Sequence, residues 1–474
     1  MLSFNGQLSC GYRQLEIEVS PAAKSISLQG NTPKERRLYG YLYDPKQQLR
    51  AQILLQKHPK RLAISADKAS PGCVAGEIEP GTWLLRLYNL EGGHHQNSPQ
   101  MAYHIEVDFE QIPVESQLKT EPVLKDGLNG FDFTKKICAT AKWYRGDLHA
   151  HTQLSHGHNT LEEAVALIER QQLDFIFLTE HNILHTFLPV SEQTLFVPGI
   201  EMTAGLGHFN VHGPERTLEI QEADFTGESL IEAGLALGEQ SHIAINHAMM
   251  KPWHWQYQQM PLAKIHSLEI CCDPTWPTSA RATEKVLTAM TALWNRGQRI
   301  YGVGGSDCHL RPDERNPKAT EPSIYGDPAT YVYCQDGLSG EALLQSLRQG
   351  QVYMERRCHL QFCINQGEQY PGNDVGGQTL TYTISVADRQ QRYDAEFVAD
   401  GEIIAKVPLS NQAINCAVDM SRYRWLRVDI RRKNGDFEGL INPVFNGENP
   451  CFASPSIHTW GQLMAVITKN QTVF

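Results

Sequence analysis

No stretch of this 474-residue chain approaches the ~18 consecutive apolar residues that a membrane-spanning helix requires. The opening residues, Met1-Leu2-Ser3-Phe4-Asn5-Gly6-Gln7, lack the basic region and apolar core of a secretory leader. The 11 cysteines are scattered and include no CxxC pair, which excludes the common zinc-ribbon and thioredoxin-type patterns. Reduced, mostly buried thiols are expected, and with them a cytoplasmic protein and no membrane partner. Cationic charge is in deficit: 42 Lys and Arg face 53 Asp and Glu, for a net charge of -11. That argues against a surface for nucleic acid polymer. It leaves open a small anionic substrate, because bound metal ions can supply local positive charge. No low-complexity tract and no fixed solenoid period is present.

What is abundant is histidine, and it is clustered. Of the 19 histidines, 13 lie between His149 and His309. Gly146-Asp147-Leu148-His149-Ala150-His151-Thr152 places two imidazoles on one face of an extended segment, side by side. His156, Thr179-Glu180-His181-Asn182, Gly199-Ile200-Glu201, Gly207-His208, Asn246-His247 and Ser306-Asp307-Cys308-His309 follow in order. Imidazole with carboxylate is the donor set that borderline divalent ions prefer.

Three regions emerge from the patterning. Residues 1–130 alternate apolar and polar, as in Leu15-Glu16-Ile17-Glu18-Val19, with turns at Pro80-Gly81 and Glu91-Gly92-Gly93, and predict a β-sandwich. The polar stretch 117–136 reads as a linker. Residues 140–355 alternate strands with helices. The predicted helices span 161–171, with Asn159 or Thr160 as cap, 229–237 and 280–295. Most of the histidine clusters fall at the ends of the predicted strands, where a parallel sheet or barrel builds its site. Residues 357–474 return to alternating strands and predict a second sandwich. Cys271-Cys272 reads as strand rather than as ligands.

The clusters resemble the metal motifs of the polymerase and histidinol phosphatase (PHP) superfamily, in particular its carbaryl-hydrolase-like branch. Residues 144–212 and 242–309 carry the likeness, which extends over roughly 140–355 and more loosely to Ile441-Asn442-Pro443-Val444-Phe445. The resemblance implies an α/β fold, a distorted seven-stranded βα barrel between the two sandwiches, holding two or three divalent ions (Mn, Zn or Fe). Carried over by motif, His149, His151, Glu201 and Asp307 bind the first ion. Glu201 bridges to a second, which His208 and His247 complete. His156, His181 and His309 hold a third. Many relatives have Asp in a Ser-Asp-Gly motif where this chain has Ser155-His156-Gly157, which makes the third site less anionic.

A carboxylate bridging two ions lets them share a water or hydroxide activated for attack. Glu201, Asp307 and His309 are accordingly the expected catalytic residues. Hydrolysis of a small phosphomonoester or phosphodiester fits such a centre. Hydrolysis of a carbamate, amide or carboxylic ester is the alternative, and a metal-containing binding protein without catalysis is a third. His212 shares a strand face with His208 and is its rival, with His208 preferred. Asp147 is either an orienting carboxylate or a plain strand-start residue. Lys251 and His254, in Lys251-Pro252-Trp253-His254-Trp255, either line the pocket or belong to a packed aromatic loop. Arg311 and Arg315 either bind an anionic substrate group or lie in a solvated loop. The oligomeric state is not encoded in any motif.

Overall fold

Alternating side chains build the first region of the computed structural model, which describes residues 1–32, 37–90, 100–113, 118–125, 128–218 and 227–471. The turn predicted at Glu91-Gly92-Gly93 lies outside these residues, as does the start of the predicted linker. Two four-stranded antiparallel sheets face each other here. One is ordered Leu2–Leu8, Met101–Asp108, Ser25–Asn31, Lys60–Ser65, and the other Gly11–Val19, Gly81–Asn89, Leu38–Tyr43, Leu49–Leu55. Strand Met101–Asp108 buries Met101, Tyr103, Ile105 and Val107 and leaves the residues between them half-buried. Tyr103, Ile105 and Val107 join Ile17, Ile26, Leu42 and the fully buried Trp83 in one core between the sheets.

A 13-stranded sheet forms the body of the protein. It runs from Tyr301–Gly305 through Ser267–Cys272, His242–Ile245, Gly207–His212, Leu195–Ala204, Phe175–His181, Lys142–Asp147 and Ala329–Cys334 to Val352–Glu355. From Tyr301–Gly305 to Lys142–Asp147 its pairings are parallel except at the antiparallel strand Gly207–His212, and Ala329–Cys334 and Val352–Glu355 add on antiparallel. The sheet curls. The chain leaving Tyr301–Gly305 meets the chain leaving Lys142–Asp147, with Asp307 N–H donating to His149 O at 2.8 Å and His151 N–H to Cys308 O at 3.2 Å. Helix Leu161–Arg170 covers one side, burying Leu161, Ala164, Val165 and Ile168 at helical spacing. Thr160 is its cap, within a capping box completed by Glu163. Asn159, the other predicted cap, instead donates to Leu310 O.

The C-terminal strands do not form an isolated pair of sheets. Phe437–Phe445 pairs with Val352–Glu355, so Trp425–Arg432, Tyr393–Ala399 and Glu402–Leu409 extend the large sheet. The three-stranded sheet Leu360–Ile364, Thr379–Val386, Ile414–Asp419 packs across them through Tyr382, Ile384, Phe397 and Val428. Part of the predicted linker is also ordered: Thr120–Pro122 pairs with Phe187–Pro189. Among the described residues, no helix is long and apolar enough to cross a membrane.

Candidate metal centre

The ends of the curled sheet converge on one buried cluster. Asp147 closes its strand by accepting the backbone N–H groups of His149 (3.1 Å), Ser306 (3.0 Å) and Gly326 (2.8 Å). It therefore holds the backbones of two ligand-bearing segments together rather than touching an imidazole. His149 turns Nδ1 to Glu269 Oε1 at 3.0 Å. Its Nε2 then lies 3.3 Å from both Glu201 Oε1 and Asp307 Oδ1. His151 Nε2 lies 3.1 Å from Asp307 Oδ1 and 3.5 Å from Glu201 Oε2. Both Nε2 atoms are buried and make no hydrogen bond. Buried polar atoms are normally paired. Two imidazole nitrogens and two carboxylates aimed at one point are instead the donor set of a divalent ion.

Register places the rest. His181 lies beside Glu201, and Glu201 beside Asn210, across adjacent strands. Glu201 Oε1 receives Asn246 Nδ2 at 3.0 Å and lies 3.1 Å from His208 Nδ1 and 3.6 Å from His247 Nε2. His181 Nδ1 sits 2.6 Å from Glu201 Oε2, although its hydrogen bond is with Thr203 Oγ1 at 2.8 Å. His212, the rival of His208, puts Nε2 on Leu148 O at 2.7 Å and Nδ1 2.9 Å from His242 Nδ1, away from Glu201. The donor atoms of His149, His151 and Asp307 lie within 4.8 Å of one another, as do those of His181, Glu201 and His208, and those of His151, His181 and His309.

Backbone strain accompanies this convergence. Asp307 and His247 adopt φ of 48° and 30°, in the left-handed region that non-glycine residues take uncommonly. Gly207, at φ 121°, turns the hairpin that presents His208, and a Cβ there would sit 2.7 Å from Trp255. At Gly305 a Cβ would stand 2.4 Å from both His149 Cβ and Glu269 Oε1.

The electrostatics ask for positive charge. Burial opposes ionisation of Glu201, yet His181, His149 and His208 hold its carboxyl well below the usual range. Burial alone would lower His149, but Asp307, Glu269 and Glu201 raise it well above an ordinary histidine. Burial, then His151, brings His309 down to about 3, so it is a neutral imidazole.

His156 falls outside the metal-type groups among the described residues. Its Nδ1 lies 3.0 Å from Arg37 Nη2, and Arg37 Nη1 lies 3.1 Å from His181 Nε2. This guanidinium enters from the N-terminal sandwich. Burial first, then Arg37, lowers His156 to about 2.

A cavity of about 250 Å³ opens over the cluster, lined by Glu201, His208, His247, Asp307 and His309 on one side and by Met250, Trp253 and Trp276 on another. The expected substrate residues are dispersed. Lys251 is exposed, and Trp253 rather than Lys251 faces this cavity. His254 lines a neighbouring pocket with Arg37 and His208. Arg311 lies in an adjoining cleft, 3.2 Å from Glu163, while Arg315 is exposed and donates to the carbonyls of Pro312 and Glu314.

Four residues had no assigned role in the sequence. Arg37 is one. Glu269 is another, joining His149 to the His247 loop, whose N–H it accepts at 2.8 Å. Glu180 ties down the His156 loop by accepting Thr152 N–H at 2.9 Å and Ser155 N–H at 3.1 Å. Burial would raise its carboxyl, but His185, His151 and Ser155 bring it to about 2. Asp273 lines the cavity, with burial pushing its carboxyl up to about 6. Its position just after the Cys271-Cys272 strand end was the available signal. Cys272 groups with His149 and Glu269, and in the metal-free chain burial pushes its thiol well up.

No family model and no curated protein matches the chain. Among solved structures, the chain is similar to a two-domain protein from Bacteroides vulgatus ATCC 8482 described as containing a predicted PHP-like metal-dependent phosphoesterase. Identity is 13% and the TM-score 0.33, covering 70% of this chain and 100% of that one. A second similarity, to the CspB protease of Clostridium perfringens, has 13% identity and a TM-score of 0.16 over 22% of this chain and 24% of that one. Both scores are too low to bear on the fold or the chemistry.

Proposed function

We propose that this protein is a metal-dependent phosphoesterase of the PHP superfamily, within its carbaryl-hydrolase-like branch, and that its curled sheet is a distorted seven-stranded barrel of that type. The observation that carries the reading is the convergence of His149 Nε2, His151 Nε2, Glu201 and Asp307, with both imidazole nitrogens buried and unbonded. These four residues would hold one divalent ion, and Glu201 with His208 and His247 a second. Such ions, when bound, lower the pKa of a coordinated water and polarise the bond under attack.

The chain's own residues do the rest. Glu269 fixes the His149 ring, and Asn246 fixes the carboxylate of Glu201. Trp253 and Trp276 wall the cavity over the centre. Asp273 holds a proton below about pH 6 and faces the same cavity, so it can protonate a leaving oxygen. Arg37 brings a fixed positive charge to the rim, where an anionic phosphoester would be attracted.

One observation favours a second reading. Met250, Trp253 and Trp276 give the cavity an apolar wall suited to the neutral, hydrophobic group of a carbamate, amide or ester. The deciding experiment assays phosphomonoesters, phosphodiesters, carbamates and esters with Mn²⁺, Zn²⁺ and Fe²⁺. A phosphoesterase turns over a phosphoester fastest and is inhibited competitively by inorganic phosphate. Faster turnover of a carbamate or ester, with no inhibition by phosphate, replaces the first reading with the second.

A further inference from the structure

A second cavity adjoins the metal cavity and shares Arg37, His156 and His158 with it. It is a cleft of about 900 Å³ between the N-terminal sandwich and the loop after His151. Arg37, Lys57, Lys60, Arg61 and Arg311 line it, and among the described residues no carboxylate does. In a chain of net charge -11 this is a marked local reversal. Glu163 and Glu314 touch the lining only from outside, pairing with Arg311 and His158.

The cleft is also built rather than merely lined. Lys60 is not a waving surface lysine. Its ammonium is held by the carbonyls of Gln153, Leu154 and Ser155, which locks the sandwich to the His156 loop. Lys57 and Arg61 are exposed and border the open space. Cationic side chains around a low-dielectric concavity focus their potential and concentrate anions there.

We propose that this cleft is a subsite for a second anionic group of phosphate type. The substrate is then an extended molecule with two separated anionic groups, one at the metal centre and one in the cleft, with Arg37 at the junction. What happens at the metal end rests on the phosphoesterase reading; binding in the cleft does not.

The test uses the full metal-loaded protein and the double variant Lys57→Gln/Arg61→Gln, with thermal melting to establish folding. Sucrose octasulfate, a polyanion without a phosphoester, is titrated calorimetrically. The wild type should bind it and the variant at least tenfold more weakly. In parallel, the ratio of kcat/KM for glucose 1,6-bisphosphate to that for glucose 1-phosphate should be at least ten and fall toward one in the variant. Equal octasulfate binding by both folded proteins overturns the subsite. A wild-type preference for neither sugar phosphate, with both hydrolysed, overturns it as well. If no phosphoester is hydrolysed, the phosphoesterase reading fails, and the octasulfate titration alone decides the cleft.

Discussion

Glu269 holds His149 through Nδ1 at 3.0 Å, which commits the opposite ring nitrogen to the space between Glu201 and Asp307. The other oxygen of Glu269 takes the N–H of His247 at 2.8 Å, so one carboxylate sets the position of two ligand-bearing segments. Outer carboxylates of this kind typically contribute roughly 10- to 100-fold to metal affinity or activity. Glu269→Gln should weaken metal binding by about that factor while the protein stays folded. Competition with a chromophoric chelator measures it, and unchanged affinity would remove Glu269 from the centre. Gly305→Ala should act in the same direction, because the new methyl group would displace His149 or Glu269.

Glu201→Gln should be far more damaging than His156→Ala. Glu201 lies within 3.6 Å of ring nitrogens from His149, His151, His181, His208 and His247, whereas His156 faces Arg37. Both metal content and turnover should fall in Glu201→Gln. Elemental analysis and turnover equal to wild type would show that the bridge is misassigned.

Metal affinity should rise with pH. A proton on His149 or His247 must leave before that nitrogen can bind an ion. The carboxylates of the metal-free centre raise both groups, so proton competition persists above the ordinary histidine pKa of ~6.5. Below that range both rings are protonated and affinity is lowest; above their raised pKa values competition ends. Calorimetry in buffers of different ionisation enthalpy should detect proton release on Mn²⁺ binding near pH 7. Affinity that is flat between pH 6 and 8, with no proton release, contradicts this.

Asp273→Asn should slow substrates according to their leaving group. General acid catalysis contributes roughly 10²–10⁴-fold when the departing oxygen is basic. An alkyl phosphate should therefore lose about 10²-fold or more in kcat, and a nitrophenyl phosphate, whose leaving group needs no proton, far less. Equal losses on both would assign Asp273 a structural role, consistent with its bonds to Thr275 and Asn316.

The ligand cluster was legible because its residues sit where strands end, and strand periodicity brings such positions together whatever the intervening sequence. His149 and His151 follow the strand that ends at Asp147 and flank the bridge from Ala150 to Cys308, and Glu201, His181 and Asn210 meet through sheet register. The C-terminal strands were legible as strands, but not their junction with the large sheet, since Tyr353 opposite Ile441 follows from tertiary pairing. Glu269 was hidden in an apolar strand that reads simply as core. Arg37 lies 144 residues from His181, just before the strand Leu38–Tyr43 of a different sheet, and no local pattern connects them. In the 251–255 loop, composition could not tell which side chain lines the cavity, and it is Trp253 that does, while Trp255 is buried in the core.

Arg37 also bears on how many ions the centre holds. Its guanidinium stands 3.0–3.1 Å from His156 and His181, two of the three imidazoles that the family resemblance gives to a third ion. A fixed cation there repels a divalent ion and takes up the nitrogens that would bind it. The Ser155-His156-Gly157 motif fits this arrangement, because a neutral imidazole accepts a guanidinium neighbour without adding the negative charge that would draw a metal. Wild-type protein saturated with Mn²⁺ should therefore contain two ions per chain. Arg37→Ala should take up additional metal under the same conditions, with KM for phosphoesters raised by the loss of positive charge at the rim. Elemental analysis and equilibrium dialysis read the first effect and steady-state kinetics the second. Three ions in the wild type and no change in Arg37→Ala would show that the guanidinium yields to the metal.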